Sequence, residues 1–146
     1  MPARIFPTIL LLVLPVAAAD YHLSPSGSDA SSGSAAQPWK TFAHAVPLLA
    51  PGDTLSLHAG VYPERLILSG KSGTAEAPIV IRAFENESAA IDGGTLTVPT
   101  GGRAGLVALT NCNHVHLRGL DIRNFKIADA ARTPAGIQIE GSGSGL

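Results

Sequence analysis

The chain is poor in cysteine, in aromatic side chains and in net charge. Cys112 is its one cysteine, so neither a disulfide framework nor a two-cysteine metal clip can form within the chain, and Cys112 is expected as a small buried side chain. The formal net charge of −1 leaves no electrostatic footprint for nucleic acid or an anionic membrane surface. What is abundant is glycine (16) and proline (11) among 146 residues, with aromatics at only 5%. That composition describes many short strands joined by tight turns.

The first nineteen residues carry one charge, Arg4, then an apolar run from Ile5 to Val16 broken by Pro7 and Pro15, then Ala17-Ala18-Ala19. This is the pattern of a secretory signal peptide, with cleavage expected just before Asp20. The run is too short for a helical membrane anchor, which needs roughly 20 apolar residues. The mature chain is expected outside the cytoplasm, extracellular or periplasmic, with no membrane contact.

From Tyr21 to Gln37 the sequence is rich in Ser, Gly and Asp, and after a short strand at Tyr21 to Leu23 it predicts a loop. Thr41 is placed to N-cap a short helix that carries Phe42, Ala45, Val46 and Leu49 on one side. Pro47 lacks the N–H that would bond back to Ala43, so the helix should kink or end there. Beyond Pro51-Gly52-Asp53 the period changes to two: Leu55 and Leu57, Leu66 and Leu68, Ile79 and Ile81 each alternate with other residues, and Ala89-Ala90-Ile91 leads into an Asp-Gly-Gly turn. Gly60 is read as closing the first of these runs.

A longer repeat follows. Gly105-Leu106-Val107-Ala108-Leu109 and Gly136-Ile137-Gln138-Ile139 match at a spacing of 31, with Val115 and Leu146 at corresponding places, and strands at His114–Gly119 and Leu120–Asn124 lie between. Three strands per period, each too short to bury its own face, is the requirement of a β-solenoid coil. A β-sandwich is the structural alternative, but its hairpin signals do not recur: the one Asp-Gly, Asp92-Gly93, lies between unmatched strands. The stretch from Phe125 to Ala135, with Lys126, Asp129 and Arg132, is expected to loop out of the coil.

In order and spacing, Tyr21 to Asp29, Gln37-Pro38-Trp39-Lys40-Thr41, Pro51-Gly52-Asp53-Thr54, Gly60 to Arg65 and Ala77-Pro78-Ile79 resemble the N-terminal cap of secreted right-handed parallel β-helix proteins similar to family 9 pectate lyases and chondroitinase B-like lyases. The resemblance implies an all-β, right-handed parallel β-helix with a short N-terminal capping helix. The expected organisation is a signal peptide at 1–19, the cap at 20–53 and the first rungs at 54–146. Trp39, Phe42 and Leu49 are the expected covering residues. The terminal Gly141 to Leu146 reads as a turn entering another strand, so the sequence is expected to be the front of a longer protein. With no second cap after Gly136, Ile137 and Ile139 should lie at an unpaired edge, and the isolated mature chain should self-associate.

Lyases of this kind cleave acidic polysaccharide by β-elimination, with calcium or a basic side chain neutralising the uronate and a Lys or Arg taking the proton. The resemblance puts those groups on later rungs, so no residue of this chain inherits a catalytic role. Catalytic residues are therefore unknown, no metal or cofactor site is assigned here, and calcium belongs only to the full-length parent. The expected partner of that parent is polysaccharide. Its expected role is a lyase-like enzyme, the alternative being a non-catalytic module for carbohydrate binding or cell-surface adhesion.

Local candidates are weak. His114 and His116 are two apart and would share an outer strand face, but without a third ligand they read as exposed histidines. Asp121, Asp129 and Glu140 are not clustered enough for calcium. Asp53 is expected to bond turn N–H groups as an Asx motif. Gly70-Lys71-Ser72 lacks the upstream glycine and the long helix of a phosphate loop. Asn86-Glu87-Ser88 fits the N-glycosylation pattern.

Overall fold

The computed structural model describes residues 17–96, 104–126 and 134–146. The signal-peptide reading thus falls mostly outside the described residues, as do Asp129 and Arg132.

Ten strands and one helix follow in the order β1 (Asp20–Leu23), α1 (Phe42–Leu48), β2 (Thr54–Leu57), β3 (Gly60–Tyr62), β4 (Leu66–Ser69), β5 (Ile79–Ala83), β6 (Ala89–Asp92), β7 (Gly105–Thr110), β8 (Val115–Arg118), β9 (Leu120–Arg123) and β10 (Ala135–Glu140). Every strand pair is parallel. The strands form three sheets, in the orders β1-β2-β5-β8, β3-β6-β9 and β10-β7-β4. Reading across the sheets, β2-β3-β4, β5-β6-β7 and β8-β9-β10 are successive coils of a parallel β-helix, and among the described residues no antiparallel sandwich is formed.

Apolar side chains at alternate positions turn inward and stack in columns. Tyr21, Leu55, Ile81 and Leu117 are register partners in the first sheet, Tyr62, Ile91 and Ile122 in the second, and Leu66, Val107 and Ile137 in the third. Each strand is too short to bury its own face, so this stacking is what removes the columns from water. The corner between β8 and β9 is a single residue, Gly119, at φ +66°, a conformation that a side chain would strain.

The helix forms and ends as its sequence requires. The Thr41 hydroxyl accepts the His44 N–H at 3.2 Å, and the Asp29 carboxylate holds the Lys40 and Thr41 N–H groups and the Thr41 hydroxyl. Pro47 sits inside the last turn and the helix stops one residue later. The Lys71 ammonium donates to the Pro47 and Leu49 carbonyls, which the helix end leaves free. Trp39, Phe42 and Leu49 are all buried. Tyr21 stacks on Trp39 at 4.6 Å, and Phe42 meets Tyr62 at 5.4 Å.

Several sequence expectations are corrected. Gly60 does not close a strand; it opens β3. Gly105 pairs with Ala135 rather than Gly136, so β7 and β10 are offset by thirty residues. Gly141, at φ +87°, then absorbs one extra residue, and Asn113 accepts the Ser144 N–H at the expected spacing of 31. Phe125 does not leave the coil but packs against the core. Cys112 is buried, as expected.

Candidate functional site

The outer face of the first sheet gathers most of the chain's polar chemistry. In register across β1, β2, β5 and β8 stand His22, Ser56, Arg82 and Arg118. Alternation directs them outward because Tyr21, Leu55, Ile81 and Leu117 point in. Ser56 is nonetheless fully buried. Its hydroxyl bonds to Asp20 at 2.9 Å and lies 3.4 Å from the Arg82 guanidinium, which in turn meets Asp20 at 3.5 Å.

Beside this column runs a relay drawn from β1 and the first two coils. His58 Nδ1 lies 3.3 Å from Glu87, and His58 Nε2 lies 3.2 Å from His22 Nδ1. A carboxylate can only accept, so the His58 Nδ1–H donates to Glu87, and the second ring nitrogen of His58 shares one proton with His22 Nδ1. Phe84 packs edge-on to His22 and tilted against His58. Burial holds the His22 pKa below its ordinary 6.5, against the opposing pull of Asp20. The Ala59 N–H, and then His58, hold Glu87 below the usual carboxylate range.

A cavity of about 420 Å³ opens next to the relay, lined by Arg82, Glu85, Asn86, Glu87, Arg118 and Gly119. Arg82 is shared with Asp20. Among the described residues the Arg118 guanidinium has one side-chain hydrogen-bond partner, the ring of His116 at 3.3 Å, and no carboxylate forms an ion pair with it. Two guanidiniums in adjacent strands, one of them free of a carboxylate, suit a ligand carboxylate, which an arginine fork can hold with two parallel bonds. A second cavity of about 410 Å³ lies between the opening loop and β3, lined by Pro25, Lys40, Thr41, Val61, Tyr62, Pro63 and Glu64. Burial pushes the Glu64 carboxyl up, although it accepts the Phe42 N–H at 3.1 Å.

The residues singled out from sequence do not assemble. His114 has a left-handed backbone, at φ +47°, and lies outside β8, so it does not share the alternating face of His116. Asp121 pairs with Arg123 at 2.9 Å, and Glu140 is exposed on β10. Among the described residues no three His, Cys, Asp or Glu side chains come together to hold a metal. Asp53 is structural, but not as a turn-capping Asx: its oxygens take the N–H groups of Ala19 and Ala50. Lys71 serves the helix end rather than a phosphate. Asn86 is exposed on a turn. The His22–His58–Glu87 relay was missed because its members lie in separate coils, with no local motif to mark them.

The uncharacterized protein YwoF of Bacillus subtilis (strain 168) is 32% identical over 126 residues, covering 86% of this chain and 26% of the relative. Pectate lyase PEL9 of Emericella nidulans is 42% identical over 95 residues, 64% of this chain and 22% of the relative. The chain thus spans about a quarter of the length of these curated relatives. The solved structure of a GH136 lacto-N-biosidase from Eubacterium ramulus superposes with a TM-score of 0.58 and 30% identity, over 70% of this chain and 20% of that one. The family model described as "Pel9A-like, right handed beta helix region" matches residues 21–145, and with the stacked parallel coils it places the chain in the Pel9A-like right-handed β-helix family.

Proposed function

We propose that the chain is the opening part of a secreted, polysaccharide-active β-helix protein whose full-length form is a lyase of acidic polysaccharide. The observation that carries this reading is the 42% identity to a pectate lyase over 95 residues. The paired Arg82 and Arg118 beside an open cavity support an acidic substrate, since a uronate carboxylate is the group such a pair is shaped to hold.

The chain itself is expected to contact the polymer through Arg82 and Arg118, with the elimination carried out by the full-length protein. The test is to incubate the full-length protein, and this chain, with polygalacturonate and with a neutral polymer. The full-length protein should release unsaturated products absorbing in the ultraviolet. New reducing ends without unsaturation would replace elimination with hydrolysis, the chemistry of a glycosidase; binding without any cleavage would favour the carbohydrate-binding or adhesion alternative. In a gel containing polygalacturonate this chain should be retarded, and Arg118→Ala should weaken that about three- to tenfold, the effect of losing one net hydrogen bond at an exposed side chain. Equal migration of both in acidic and neutral gels would remove the acidic-substrate reading.

A further inference from the structure

Two neighbouring bonds could be cut to release a leader from this chain. A leader-removing peptidase favours small residues one and three places before the bond. Ala17 and Ala19 satisfy that fully for the bond before Asp20; for the bond before Ala19 the adjacent residue is Ala18 and the one three places before is the larger Val16. Sequence alone favours the first. The fold favours the second.

Ala19 is built into the structure. Its N–H donates to Asp53 Oδ1 at 2.9 Å, and its carbonyl accepts the Thr54 N–H at 2.8 Å, continuing the β1–β2 ladder one step ahead of Asp20. Asp53 is only 3% exposed, and its other oxygen takes the Ala50 N–H at 2.8 Å. Among the described residues no Lys, Arg or His forms an ion pair with it. Ala17 and Ala18, by contrast, are exposed. Cutting before Asp20 would take away the one partner of Asp53 Oδ1 and the acceptor of the Thr54 N–H, leaving a buried carboxylate oxygen and a strand N–H unsatisfied. Cutting before Ala19 keeps both bonds and sets a positive charge against the carboxylate.

We propose that a secretory leader peptidase hydrolyses the Ala18–Ala19 bond, and that the new α-ammonium of Ala19 forms an ion pair with buried Asp53 that fastens the first strand of the helix. In that step water adds across the amide, the carboxyl group leaves on Ala18, and the amino group stays on Ala19 and takes up a proton. The pairing gives Asp53 the cation that the described side chains do not supply, and turns the existing Ala19 hydrogen bond into a charge-assisted one. This inference is independent of the polysaccharide reading.

The test is to secrete the full chain from a bacterial host and determine the mature N-terminus by intact mass and terminal sequencing. Ala19 is expected; a terminus at Asp20, or a leader that stays attached, overturns the proposal. Pairing is then read by acylating the α-amine near neutral pH. An ammonium held by a carboxylate gives up its proton reluctantly, so the folded protein should react at least roughly tenfold more slowly than the same protein in denaturant. Asp53→Asn should leave the cut site unchanged and abolish most of that protection. Equal rates for folded and denatured wild type would overturn the pairing whether or not Asp53→Asn folds.

Discussion

The first and last layers of coil within this chain present the same interior columns in opposite conditions. At the first, Leu23, Leu55 and Leu57 are fully buried in one cluster with Trp39, Phe42 and Leu49 of the cap, whose helix packs on β4. At β10, Ile137 and Ile139 stand in register on Val107 and Leu109 yet are 49% and 58% exposed. Alternation along a strand decides which side chains point inward, but only a neighbouring layer removes them from water. The stabilising value of an interior position therefore depends on which coil it occupies.

The largest test of that contrast is a pair of truncations. Leu66→Ala, in a closed coil, should cost about 2–5 kcal/mol in urea unfolding, whereas Ile139→Ala should stay within about 0.5 kcal/mol. Comparable losses would mean that the β10 end is covered in solution. The cover could be a second copy, in which case Ile137→Lys with Ile139→Lys should shift the chain toward monomer in sedimentation. A smaller effect is expected at Tyr62, whose hydroxyl lies 2.9 and 2.8 Å from the Leu23 and His58 carbonyls and whose pKa burial pushes up. Tyr62→Phe should cost about 1–3 kcal/mol by leaving buried carbonyls short of a donor. Smaller again is Lys71→Met, which frees the Pro47 and Leu49 carbonyls and should loosen the helix end by about 0.3–1 kcal/mol.

The smallest effect is on pH dependence. Burial depresses the His22 pKa from 6.5, so the unfolded chain binds its proton more readily than the folded one. Stability from neutral His22 is complete above 6.5 and is lost as pH falls toward the folded value. Glu64 runs the other way: its raised pKa makes its contribution largest at low pH and lost as pH rises through the folded value. His22→Gln should flatten the slope of unfolding midpoints just below pH 6.5 and leave the acidic limb unchanged. An unchanged slope would detach His22 from that window.

Much of the fold was legible because its signals are local. Leu55 with Leu57, and Ile79 with Ile81, announce their strands by alternation, and Thr41 announces its helix by its position ahead of an apolar stripe. What failed depends on the third dimension. β3 has only three residues, and Tyr62 makes sense as a strand residue only once Ile91 is seen beside it. The register of β10 was one residue off because a left-handed Gly141 adds a step that the 31-residue spacing hides. Of the candidate site, Arg118 was visible only as one more strand residue; its meaning comes from Arg82 across the ladder, a neighbour set by coil geometry rather than by any motif.

The chain lengths of successive coils differ, as the unequal separations of Leu55, Ile81 and Leu117 show, yet those three are register neighbours. Each coil therefore climbs by the same interstrand step of about 4.8 Å, however much chain it spends getting round. The outer column His22, Ser56, Arg82 and Arg118 is in this sense a ruler, its graduations set by backbone hydrogen bonds and indifferent to loop length. Residues can be inserted at its corners without changing the spacing between its side chains.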